Sequence, residues 1–389
     1  MRREGRAVIR SQFLSALGAT PVAFSLPGVS TPQITIALVA PLSGSARAIG
    51  LELQRGAQGA VDEINNYSIS INPLTQAYAI RTFDDQNTVA SAILQAQFAT
   101  GDTSIIAAIG HVNADATIHA IPTYGNAQCP LIVPLSTDDR ITATDYRNVF
   151  RLPTKDSDEG AIFGRTIAKQ LQPKVPYLFV QDGDYGADVA NGFIQGMSEA
   201  KIVTPYQQFP VSKPDFDAVV TKAMAATPDY VFLAGTAVDM GGIVPVLRAK
   251  GYAGPIGASQ GFFDPGTIKL GAPAEGMTIS TSMPYLPYAP SALRYRTDYE
   301  AHYGTLTPIA AFGYAAVQVI ANTITRTSAN ARNTLLSALH TGQPTDTIVG
   351  SFSFTGLGDP IDPEIYFYTI KGGKFSYLHE AHPSAFSIK

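Results

Sequence analysis

The 389-residue chain holds a single cysteine, Cys129, so an intrachain disulfide is excluded. A chain of this length has no need of one, because a large core stabilises it without staples. Cys129 precedes Pro130 and an apolar run, the setting of a small buried hydrophobe rather than a reactive thiol. No cysteine lies near the N-terminal segment, which removes a lipoprotein anchor. Charge is scarce as well: 15% of residues are charged and 45% are hydrophobic, a globular composition and not a disordered one. No uncharged apolar run approaches the roughly 20 residues of a membrane span, so a soluble mature chain without a membrane anchor is expected. The 19 Phe and 18 Tyr are not interleaved with basic clusters, which argues against a nucleic-acid partner.

What charge there is sits unevenly. The formal total is −4, but Arg2, Arg3, Arg6 and Arg10 against Glu4 give the first ten residues +3, leaving −7 for the remainder. The arginines precede an uncharged, moderately apolar stretch from Phe13 to Phe24, and small residues follow at Gly28-Val29-Ser30. This is the pattern of an export signal over residues 1–30, with cleavage before Thr31 and Ala23 as a second cleavage position. Arg10-Ser11-Gln12-Phe13-Leu14 has only one arginine before the Phe-Leu pair, which favours the general secretory route over a twin-arginine signal. A periplasmic location follows as an expectation.

Beyond residue 31, strand-like and helix-like runs alternate, the mark of parallel sheets covered on both faces. Ile34 to Val39 reads as a strand, and Ile49, Leu53, Ala57, Ala60, Val61 and Ile64 recur at helical spacing. Tyr78 to Phe83, Ile105 to Ile109, Leu131 to Val133 and Val149 to Arg151 continue the series. A second unit repeats it with Tyr177 to Val180, Tyr230 to Leu233, Ile256 and Met277 to Ile279. A helix is expected from about Asp239 to Lys250 and a long apolar one over Ile309 to Thr327, then one over Asn333 to Leu339. Phe352 to Phe354 and Ile365 to Ile370 read as closing strands, with Gly372-Gly373 as a hairpin turn. The length and the repeated rhythm predict an α/β protein of two doubly wound parallel-sheet lobes.

Ligands of open α/β sheets bind at loops on the carboxyl ends of the strands. Four such loops occur in order: Gly110 to Thr117, Pro134-Leu135-Ser136-Thr137, the Phe150-Arg151-Leu152-Pro153 and Asp156-Ser157-Asp158 stretch, and Asp182-Gly183-Asp184-Tyr185-Gly186. This ordered set resembles the type I periplasmic solute-binding proteins of the branched-chain and hydrophobic amino acid uptake family, from about Ile34 to the end. The resemblance implies a hinge of three crossings, near Pro153, Met283 and Val349. One lobe would then span 31–153 plus 284–349, and the other 154–283 plus 350–389. It also implies a monomer without cofactor, metal or catalytic residues. Such a protein closes on a small-molecule ligand and delivers it to the membrane permease of an ABC importer.

By the same resemblance, Asn113, Ala114, Leu135, Ser136 and Thr137 meet a ligand carboxylate, while Tyr185 closes over it from the second lobe. Thr236 and Gln260 fall at further contact positions, and Ile49 and Ile309 line the pocket wall. Four departures stand out. Ala114 replaces a serine, Gln260 replaces an acid that meets the ligand ammonium, and Ile49 and Ile309 replace aromatics. They predict a solute lacking an α-ammonium, an organic acid or amide, unless Asp156 supplies the missing charge instead of capping a helix.

Three competing patterns carry less. Gly257-Ala258-Ser259-Gln260-Gly261 matches G-x-S-x-G, but a hydrolase elbow needs a helix directly after it, and Phe262-Phe263-Asp264-Pro265 follows. His111, Asp115 and His119 share a four-residue spacing, yet His111 belongs to a strand end and not to the helix. Asp182-Gly183-Asp184 has too few carboxylates for a calcium loop. A ligand sensor on the same fold is the alternative to a transporter component, and a serine hydrolase using Ser259 is the alternative of another class.

Overall fold

The computed structural model describes residues 33–71, 77–209, 215–286 and 290–381. The export signal expected over residues 1–30 lies outside them.

The first sheet contains β1 (Gln33–Ala40), β2 (Ala77–Asp84), β3 (Ile105–Ile109), β4 (Leu131–Val133) and β5 (Val149–Arg151), all parallel, in the order β2-β1-β3-β4-β5. The second has β6 (Pro176–Gln181), β7 (Tyr206–Phe209), β8 (Tyr230–Ala234), β9 (Ile256–Ala258) and β10 (Thr278–Thr281) in the order β7-β6-β8-β9-β10. The two parallel cores therefore share one winding. A short pair, β11 (Thr345–Thr347) with β12 (Gly350–Phe352), stands apart. The antiparallel strands β13 (Ile365–Ile370) and β14 (Phe375–Ala381) extend the second sheet beyond β10. Gly372 and Gly373 make the hairpin turn between them with φ of 60° and 67°, values that glycine adopts without Cβ strain.

The helices cover both faces, as continuous apolar strands such as the fully buried Ile105–Ile109 require. In chain order they are α1 (Arg47–Ile71), α2 (Val89–Gly101), α3 (Ala114–Asn126), α4 (Asp156–Gln170), α5 (Asp184–Glu199) and α6 (Phe216–Ala225). There follow α7 (Ala237–Met240), α8 (Ile243–Ala249), α9 (Pro265–Lys269), α10 (Pro290–Tyr303), α11 (Pro308–Thr327) and α12 (Arg332–Leu339). The single helix expected over Asp239 to Lys250 is two pieces broken at Gly241-Gly242. Contrary to the expectation of no span-length run, α11 is long and apolar enough to cross a membrane, though 72% of it is buried. It packs on α1 so closely that a Cβ at Gly56 would meet the Ala310 carbonyl, which makes it a core helix of the first lobe.

Chain passage between the sheets occurs after β5, after β10 and before β13. The crossing expected at Val349 is displaced. Ile348, Val349 and Phe354 all pack in the first-lobe core, and the Gly358 carbonyl still accepts from Arg151 N of β5 at 2.9 Å. The chain leaves the first lobe only after Asp359, which Arg151 grips at 3.0 Å. Family spacing missed this because a buried ion pair, not a strand end, sets the boundary.

The seam between α4 and α5 positions the second lobe's part of the cleft. A Cβ on Gly192 would lie 1.9 Å from the Ser157 carbonyl, and one on Gly160 would lie 2.0 Å from that of Val189. Only bare backbone lets the helices approach this far, which seats the first turn of α4 against the middle of α5. Gly192→Ala should destabilise the protein, because overpacking costs roughly 1–3 kcal/mol while the helix-propensity gain is only about 1 kcal/mol. Urea unfolding reads the difference, and an unchanged or higher midpoint would show that the seam parts freely.

Candidate functional site

On the first lobe, Asn113 caps α3, its Oδ1 accepting from Ala116 N at 3.1 Å, and Ala114 opens the helix. The first helical turn directs backbone N–H groups outward, which suits an anion. Beneath this loop His111 is fully buried. Its Nδ1 bonds Asp85 at 2.7 Å and its Nε2 bonds the Tyr124 hydroxyl at 3.2 Å. His111 therefore ties the ends of β2 and β3 to α3. Leu135, Ser136 and Thr137 follow β4, with Ser136 buried and Thr137 half-buried.

On the second lobe, Asp156 is buried at the start of α4. Lys155 holds the N-cap position without a side-chain bond, so Asp156 is not the cap. Its N–H donates to the Thr137 carbonyl at 3.0 Å, and its carboxyl bonds the Thr137 hydroxyl. Gln260 completes the group. Its Nε2 donates to Thr137 Oγ1 at 3.0 Å and to Asp156 Oδ1 at 3.3 Å. Its Oε1 accepts from Ser282 Oγ at 3.1 Å. Three residues singled out in the sequence thus meet, two from the second lobe and one from the first.

Tyr185 is one bond removed: its hydroxyl accepts from Gly261 N at 2.9 Å and donates to Ser259 Oγ at 3.0 Å. Ser259 is fully buried, and its hydroxyl donates to the Gly235 carbonyl at 3.0 Å. Its role is to join loops, since a Cβ on Gly261 would touch the Gly235 carbonyl at 2.4 Å. The hydroxyl of Thr236 turns to its own helix and donates to Asp239 at 2.9 Å. Ile309 packs on the first-lobe core, and Ile49 is 37% exposed at the start of α1. Cys129 is buried, which pushes its thiol up to about 12 and leaves it inert.

The sequence reading missed Glu159, one turn after Asp156 and fully buried. Its Oε1 accepts from Gln260 N at 2.8 Å and from Ser280 Oγ, while Oε2 has no partner. Burial pushes Glu159 up to about 7 against the pull of these two bonds. Burial and Glu159 together hold Asp156 well above the carboxylate range, with Thr137 and Arg151 opposing. Burial and Glu159 both favour the protonated form of Asp156, and a neighbouring cation would favour the charged one. Also unforeseen was Arg140, which pairs with Asp138 at 2.6 Å within its own lobe and with Asp184 of α5 at 2.9 Å across the cleft rim. The rim is acidic. Burial, with Asp139, Asp138 and Asp184, pushes nearby Asp188 up to about 6. No motif marks the contacts of Glu159 with Gln260 and Ser280 or of Arg140 with Asp184, because those partners lie far apart in sequence.

Comparison with known proteins agrees with the two-sheet fold. The model of the family described as periplasmic binding protein matches residues 33–374. The Leu/Ile/Val-binding protein homolog 2 of Brucella abortus (strain 2308) is 24% identical over 361 residues, covering 92% of this chain and 96% of that protein. The Leu/Ile/Val-binding protein BraC3 of Rhizobium johnstonii is 25% identical over 373 residues, covering 93% and 98%. Among solved structures, the leucine binding protein LivK of Thermotoga maritima superposes with a TM-score of 0.73 at 23% identity, covering 91% of this chain and 100% of that one. A solute binding protein of R. palustris in complex with benzoate gives 0.67 at 19% identity, covering 90% and 97%. With the matched span running through both sheets and the cleft between them, the chain belongs to the periplasmic binding protein family, whose members bind solutes and catalyse nothing.

Proposed function

We propose that this protein captures a small apolar amino acid between its lobes and hands it to the permease of an ABC importer outside the cytoplasmic membrane. The observation that carries the reading is Asp156, a buried carboxyl in contact with Thr137 and Gln260 at the cleft. The replacement of an acid by Gln260 argued from sequence against an ammonium. Asp156 answers that argument from the hinge side. An ammonium placed against it and the Thr137 hydroxyl would favour its charged form, and the ligand carboxylate would take the first turn of α3. The acidic rim and Glu159 disfavour a bare organic acid, which brings negative charge without a cation. The Leu/Ile/Val-binding relatives and the importer-associated neighbours support transport over sensing.

Calorimetry with leucine, isoleucine, valine and benzoate tests this. One of the amino acids should bind more tightly than benzoate, and binding should release a proton, seen as an enthalpy that varies with the buffer. Asp156→Asn should abolish the release and weaken binding by roughly 1.5–3 kcal/mol, the contribution of a hydrogen bond to a charged group. Benzoate binding tighter than all three amino acids would replace the proposal with an organic-acid carrier.

A further inference from the structure

We propose that Gln260 acts as an internal ligand, closing the solute-free cleft with its own amide and giving up that place to the incoming amino acid. The inference rests on the reading of Thr137 and Asp156 as the ammonium site. A side-chain amide offers two N–H donors and one carbonyl oxygen. Both donors of Gln260 have acceptors, Thr137 Oγ1 at 3.0 Å and Asp156 Oδ1 at 3.3 Å, and its oxygen receives Ser282 Oγ at 3.1 Å. Its backbone is held as well, N–H to Glu159 at 2.8 Å and carbonyl from Phe263 N at 2.8 Å.

The bond to Thr137 crosses from the second lobe to the first. It presents N–H groups to the same two oxygens that a ligand ammonium would use, and two donors cannot occupy one place. Charged donors bond about twice as strongly as neutral ones, so an ammonium displaces the amide. The measured affinity is then the difference between the two. Other cross-lobe ties do not involve the amide: Asp156 N to the Thr137 carbonyl at 3.0 Å, Ser157 N to Asp139 at 3.0 Å and, at the rim, Arg140 to Asp184 at 2.9 Å.

Two variants break the internal bond from opposite sides: Gln260→Ala from the second lobe and Thr137→Val from the first. The full chain is stripped of solute by unfolding and refolding, and circular dichroism checks that each variant folds. In X-ray scattering without solute, both variants should show a larger radius of gyration than wild type. Leucine, the probe, should compact Gln260→Ala and bind it about two- to tenfold more tightly than wild type, since one neutral hydrogen bond no longer competes. Equal solute-free radii for wild type and Gln260→Ala would overturn the inference. So would weaker leucine binding to Gln260→Ala, which would make Gln260 an ordinary ligand contact. If leucine binds neither protein, the amino-acid reading fails, while the solute-free scattering still decides whether Gln260 closes the cleft.

Discussion

Asp359→Ala should cost roughly 3–5 kcal/mol of stability, the usual penalty for removing one partner of a buried ion pair. Arg151 is fully buried at the end of β5. Its Nε donates to Asp359 at 3.0 Å, Nη1 to the Asp138 carbonyl at 2.6 Å and Nη2 to Thr142 Oγ1 at 2.5 Å. The Thr142 hydroxyl in turn donates to Asp359 at 2.8 Å. Without the carboxylate, a guanidinium that cannot lose its charge stays buried against a carbonyl and a hydroxyl. The pair also fastens the last first-lobe residue before the chain enters the second sheet, so its loss should loosen the hinge. Denaturant unfolding measures the effect. The double variant Arg151→Met, Asp359→Leu should recover much of the loss, since apolar residues often replace a buried pair at little cost. A single-variant loss below about 1 kcal/mol, the level of a surface pair, would contradict this account.

The second large effect is a pH dependence set by Glu159. Its folded form titrates at about 7, its ordinary value is 4.5, and burial is the main cause. Below about 4.5 the folded and unfolded chains both carry the proton, and the group favours neither. Between 4.5 and 7 the folded chain keeps a proton that the unfolded chain has released, so stability falls as pH rises. Above about 7 the loss is complete and amounts to roughly 3 kcal/mol. Glu159→Gln keeps an acceptor for Gln260 N and Ser280 and removes the titration. Relative to wild type, the variant should gain stability progressively over that window and hold the gain at higher pH. Parallel pH profiles for the two proteins would show that Glu159 is not the titrating group.

Much of the architecture was readable because it depends on local pattern. Buried parallel strands such as Ile105–Ile109 and Leu131–Val133 are short apolar runs, and α11 is a long apolar run buried continuously from Ala310 to Val317. The helix α10 was overlooked, although Tyr295 and Tyr299 at four-residue spacing are both buried and signal one face. In the site, Thr137, Asp156 and Gln260 were found through the order of loops. Their mutual bonding was not foreseen, since it depends on how far the lobes close. Glu159 was not singled out, because its burial depends on distant residues, the Gln260–Phe262 turn and Ser280, packing onto it.

Among the described residues, four apolar clusters cover the two faces of the two sheets, and none of them spans the cleft between Thr137 and Gln260. Folding energy is drawn mostly from these clusters, and only Leu135, Ile309 and Tyr185 of the site residues also pack on them. Substitutions at the polar positions Thr137 and Gln260 can alter the guest without touching those clusters. Such a container can change its cargo over evolutionary time by drift at a few loop tips, while its frame stays under a different and stricter selection.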